Sequence, residues 1–262
     1  MKRLLAVLTI VALSSLAWSS DAQAGFVIDD FSTTNAPVDA SDATANGSAV
    51  TSSGLAGGSG LPDLSREFYA NKTAPAGSSL VTLNSNNGLS IGDPGLLTFD
   101  QSSGTTEGFA HIVYDGVGST GDPDAPSFTT MSVNLVAGGN NAFVFNGFDT
   151  DGMGLDFFVT LWDSTGLSAT VGRPDLADGF LGNLTLLFSE FTTITPALNL
   201  TSIGAIVVGV DARATTVLGP GAAAAGNDLR FDQLQVTGVP EPATFAIWSV
   251  LCVGLGFVRR RR

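Results

Sequence analysis

The chain has 262 residues, with 24 Asp and Glu against 11 Lys and Arg, a net charge of −13, one histidine and one cysteine. That balance repels nucleic acid and anionic membranes. A lone cysteine excludes an intramolecular disulfide, and one histidine argues against zinc, so the fold must rest on its own core or on a hard cation.

The chain opens on Lys2 and Arg3, then the apolar run Leu4 to Leu13, then Ala22-Gln23-Ala24 before Gly25. A charged start, a short apolar run and a small-x-small site make residues 1–24 a signal peptide, which implies the export machinery and signal peptidase as partners. The exported domain is then 25–238, of a size that suits one domain. Lys2, Arg3, Arg259 to Arg262, Asp21 and Glu241 fall outside it. It keeps 5 Lys and Arg against 22 Asp and Glu, a net charge of −17.

Within it, apolar residues alternate with period two. Leu155, Phe157, Val159 and Leu161 share one face, as do Phe143 and Phe145, and Ile203 to Val210 is rich in β-branched residues. Gly108 to Tyr114, Thr129 to Leu135 and Gly182 to Phe188 also read as strands. Turn clusters separate them: Asn86-Asn87-Gly88, Gly92-Asp93-Pro94-Gly95, Gly121-Asp122-Pro123 and Gly138-Gly139-Asn140-Asn141. Short strands at this spacing predict an all-β antiparallel sandwich, with no helix outside the two terminal segments. Ser41 to Gly60 and Gly219 to Gly226 are low-complexity pieces, and the four alanines between glycines in the second read as a mobile surface loop.

Catalytic chemistry is scarce. His111 lies in a strand beside Phe109 and Val113, where a hydrogen-bonded packing role is expected. There is no Gly-x-Ser-x-Gly elbow and no His-Glu-x-x-His helix, and the only cysteine, Cys252, is in the terminal apolar run. Asp149-Thr150-Asp151-Gly152-Met153-Gly154-Leu155-Asp156 has closely spaced carboxylates among glycines, a pattern able to wrap calcium. The competing reading is an ordinary Asp-Gly turn. Asp122 and Asp124 are a weaker pair of the same kind. Phe158 and Trp162 point away from Leu155 and Val159 and are candidate ligand-stacking rings, packing under a loop being the preferred alternative.

The domain opens Phe26-Val27-Ile28-Asp29-Asp30-Phe31 and closes Asp228-Leu229-Arg230-Phe231-Asp232-Gln233-Leu234-Gln235-Val236, with Leu187-Phe188-Ser189-Glu190-Phe191 between. This order resembles the galactose-binding-like jelly rolls, which include many carbohydrate-binding modules. The resemblance implies a jelly-roll-like sandwich, binding of carbohydrate, and a structural calcium between the first and last strands at Asp29 or Asp30 and Asp232.

The chain ends Pro240-Glu241-Pro242, an uncharged run from Ala243 to Val258, and Arg259, Arg260, Arg261 and Arg262. Residues 239–262 resemble the PEP-CTERM sorting tail of exopolysaccharide-producing Gram-negative bacteria. The resemblance implies an exosortase as partner, a transient membrane anchor, and release to the cell surface or extracellular matrix. Sixteen apolar residues are short for a span, which favours a cleaved tail over a permanent anchor. The expected function is that of a non-catalytic surface or matrix protein associated with exopolysaccharide. A carbohydrate-binding module is the alternative, and a secreted hydrolase ranks below both.

Overall fold

The computed structural model describes residues 25–31, 35–40, 50–53, 65–74, 81–86, 95–101, 107–116, 126–151, 154–213, 215–216, 218–220 and 228–238. The expected signal peptide, the expected sorting tail with Pro240, Glu241, Pro242 and Arg259 to Arg262, and Asp122 and Asp124 lie outside them. Among the described residues no helix is long and apolar enough to cross a membrane.

Two antiparallel sheets face each other. The first is built on β8 (Ala142–Asp151), with β11 (Leu181–Leu187) along one side. Along its other side run β15 (Asp228–Phe231) and β16 (Gln233–Thr237), which meet end to end at Asp232. Beyond β16 lies β1 (Phe26–Asp29). Beyond β15 come β6 (Leu96–Gln101), β5 (Val81–Asn86) and β2 (Asn35–Ala40). The second sheet runs β10 (Ser168–Leu176), β9 (Leu155–Asp163), β12 (Ile203–Asp211), β7 (Glu107–Tyr114), β4 (Ser65–Ala74) and β3 (Val50–Ser53). A short hairpin joins β13 (Thr215–Thr216) to β14 (Gly219–Pro220). This is a jelly-roll-like β-sandwich, and Gly25–Thr237 form one compact unit.

The alternation along the strands fills the space between the sheets. Phe143, Phe145, Phe148 and Phe231 come in from the first sheet, and Phe68, Phe157, Val159, Ile206 and Val208 from the second. The rings meet edge to face: Phe145 and Phe157 at 4.7 Å and 82°, Phe148 and Phe157 at 5.0 Å and 84°. Each such buried ring stabilises the fold by about 1.5–3 kcal/mol over an exposed one.

Two expectations are corrected. Residues 129–135 are not a strand. Met131, Val133 and Leu135 do point inward, but Val133 makes one bridge, to Ile203, and the amide of Leu135 turns to the carbonyl of Leu200. Alternation here reports burial without a ladder. Gly182 to Phe188 is a strand only to Leu187, where α1 (Phe188–Ile194) begins. Glu190 starts this helix by accepting the amide of Leu187 at 2.9 Å, and Phe188 and Phe191 bury one face. Glu190 also accepts both terminal nitrogens of Arg173, at 2.8 and 2.9 Å, while Arg173 donates to the carbonyl of Thr185. One guanidinium thereby links β10, β11 and α1 across the open side of the sandwich.

Candidate functional site

The outer face of the second sheet carries two cross-strand rows. Pairing puts Tyr69, His111, Gly209 and Phe158 side by side on β4, β7, β12 and β9. The next row on the same face is Asn71, Phe109, Asp211 and Asp156. These are the positions the core-facing alternation leaves outward.

The first row sits low. Gly209 has no side chain, and the Phe158 ring occupies the space a Cβ would take. That lets Phe158 reach His111 edge-on at 5.5 Å. Both are buried. Burial, and next the charge of Arg213, push the His111 imidazole down to about 3, so it is neutral at any ordinary pH.

Against His111 lie Tyr69 and Phe109, both half-buried, with ring centroids 6.0 Å apart and planes 29° from parallel. The Arg213 guanidinium lies over Phe109 at 4.3 Å and is held by Asp211 through Nε at 2.8 Å and Nη2 at 2.6 Å. The Asn71 amide approaches the Tyr69 hydroxyl at 3.5 Å. The result is a platform of partly buried rings, with an amide, a phenol and an ion-paired guanidinium beside them. An aromatic ring can receive the apolar C–H face of a flat ligand, and amide or hydroxyl groups beside it can bond that ligand's polar edge.

The predicted rings Phe158 and Trp162 share this outer face, but Phe158 is in the floor and Trp162 lies parallel to Phe128 at 6.0 Å and 7°. The backbone of Phe128 packs on Gly204, where a Cβ would overlap the Phe128 carbonyl oxygen. Phe128, from the loop, thus stacks on Trp162, which is half-buried. Tyr69 and Phe109 are half-buried too and are the rings that lie against His111. Phe109 was legible beside His111; Tyr69 was not, because β4 does not read as a strand.

The outer face of the first sheet holds a cleft of about 410 Å³. Asp151, Asp228 and Asp100 stand opposite one another on β8, β15 and β6. In the adjoining row Asp149, Arg230 and Thr98 are opposed, and Arg230 pairs with Asp149 at 2.6 Å. Burial first, then the Asp100 carboxylate and more weakly Asp151, push Asp228 up to about 6. Directly opposed like charges destabilise a sheet.

The predicted calcium ligands are distributed as follows. Asp149 and Asp151 both line this cleft, while Asp156 is buried on the other sheet and accepts the amide of Asp175 at 2.8 Å. The loop thus does not gather all three. Asp232 marks the break between β15 and β16, its carboxylate resting against Gly147 where a Cβ would collide. Asp30 follows β1 and is half-buried. The preceding Asp29 is held by protein donors: Arg66 at 2.7 Å, Tyr114 at 2.8 Å and the Phe31 amide at 2.8 Å. Among the described residues no three His, Cys, Asp or Glu side chains are grouped to hold a metal.

No family model matches the chain. No curated protein matches it either. Similar solved structures include a family 30 carbohydrate-binding module from a cellulosomal cellulase of Clostridium thermocellum, 11% identical over 79% of this chain and 100% of that one, with a TM-score of 0.37. A second family 30 module is 12% identical over 85% and 92% of the two chains, with a TM-score of 0.40. A family 11 module from Clostridium thermocellum, in complex with a β-1,3-1,4-mixed-linked tetrasaccharide, is 16% identical over 74% and 99%, with a TM-score of 0.35. At these identities and scores the similarity is remote.

Proposed function

We propose that this is an exported, non-catalytic surface or matrix protein that binds extracellular polysaccharide through the Tyr69–Phe109 platform. The observation that carries the reading is that stacked, half-buried ring pair on the adjacent strands β4 and β7, with Asn71 and Arg213 beside it. Apolar ring area left in water is a standing gain for any ligand that covers it. The Pro240-Glu241-Pro242 tail with Arg259 to Arg262 and the signal-like residues 1–24 support the export part, in which an exosortase handles the tail.

The test is affinity electrophoresis through gels containing single polysaccharides. Tyr69→Ala and Phe109→Ala should each weaken the retarding interaction tenfold or more, about 1.4 kcal/mol. Full retention in both variants overturns the platform. The mass of the chain recovered from the producing cell's medium tests export: residues 1–24 and the arginine cluster should be missing.

A further inference from the structure

The chemical class of the glycan follows from where the positive charges are engaged, given the platform reading above. Residues 25–238 contain four arginines and one lysine. Every one of those arginines is in an ion pair: Arg66 with Asp29, Arg173 with Glu190, Arg213 with Asp211 and Arg230 with Asp149. Lys72 is fully buried. At the platform the commitment is double. Asp211, itself buried, takes one edge of the Arg213 guanidinium through two nitrogens, and Phe109 takes its face. The other polar groups there, Tyr69, Asn71 and the neutral His111, carry no charge to offer.

A uronate or sulfate ester arriving at Tyr69 and Phe109 would thus need a cation already quenched by a closer carboxylate. It would also approach a domain of net charge −17. An uncharged sugar loses nothing on either count. We propose that the platform takes a neutral polysaccharide and rejects uronate- or sulfate-bearing chains, and that Asp211 sets this preference by engaging Arg213.

The experiment uses the full chain in detergent, at low salt, in gels containing a neutral glucan, galactan or mannan, a polyuronate or a sulfated galactan. The wild type should be retarded by a neutral polymer at least tenfold more strongly than by either acidic one. Asp211→Asn keeps the side-chain oxygen that accepts from Arg213 but removes the charge. It should gain retention in polyuronate several-fold, with folding checked by circular dichroism. Retention in an acidic polymer that equals the neutral one and is lost in Tyr69→Ala overturns the charge inference while leaving the platform standing. A folded Asp211→Asn with unchanged preference overturns the role of Asp211. If no polymer retards the chain, or retention survives Tyr69→Ala, the platform itself fails and the inference with it. The wild-type comparison decides the main point even where Asp211→Asn does not fold.

Discussion

Asp29 shows how one acid is made tolerable inside an apolar core. It is 2% exposed, and burial pushes its carboxyl up while Arg66, the Phe31 amide and Tyr114 pull it down. The bond from Phe31 accompanies a left-handed φ of 51° at that residue, which turns the ring inward to meet Phe231 at 5.2 Å. The first strand is thereby tied to β4 and β7 by a guanidinium and a phenol. Removing one partner leaves the charge stranded. Arg66→Met should destabilise the chain by about 3–5 kcal/mol. Tyr114→Phe should cost about 1.5–3 kcal/mol, the range for a hydrogen bond to a charged group. Urea unfolding measures both, and a Tyr114→Phe midpoint equal to wild type would show that the hydroxyl contributes nothing. The sequence marks Asp29 as an acid in an apolar strand, but its partners are 37 and 85 residues away and only tertiary structure brings them in.

At the scale of elements, what could be read and what could not divide along one line. β7, β8, β9 and β12 were visible because their inward positions are apolar and their hydrogen bonds go to neighbours of the same kind. β4, with the sequence SREFYANKTA, was hidden because Arg66, Glu67 and Lys72 are buried. Charged residues that find partners inside break the pattern that strand recognition depends on, and the platform residue Tyr69 was lost with that strand. α1 escaped because seven residues are too few for a helical period. The seam of β8, β15 and β6 has a consequence for pH. Asp228 is pushed up from the ordinary carboxyl value of 3.8 to about 6 in the fold, so between those values the folded chain holds a proton that the unfolded chain releases. Its contribution to stability is complete below about pH 3.8 and is lost as the pH rises through about 6. Asp228→Asn, which mimics the protonated state, should therefore unfold at a higher temperature than wild type at pH 8, by roughly 2–4 °C. The gap should shrink at pH 5. A gap of the same size at both values would remove Asp228 as its source.

For the molecule as a whole, the dominant electrostatic fact is excess negative charge on a sandwich without disulfides. Residues 25–238 carry 22 acids and 5 bases, so after the four arginine pairs are made the acids still leave a large excess of negative charge. Salt then acts in two opposing ways. It weakens exposed pairs such as Arg230–Asp149, where the arginine is 57% exposed, each contributing about 0–1 kcal/mol. It also screens the self-repulsion of the whole domain, with the Debye length falling from about 30 Å at 0.01 M to about 3 Å at 1 M. The buried Arg66–Asp29 pair is shielded from both effects. Since repulsion involves many more charges than the exposed pairs, the thermal midpoint should rise by several degrees between 0.01 M and 0.5 M sodium chloride. Binding of an uncharged glycan to the platform should stay constant over the same range, because neither partner there offers an unquenched charge. A midpoint that falls with salt would mean that the local pairs outweigh the net repulsion. Calcium chloride at equal ionic strength separates general screening from a specific cation: a further rise over sodium would locate one among the carboxylates.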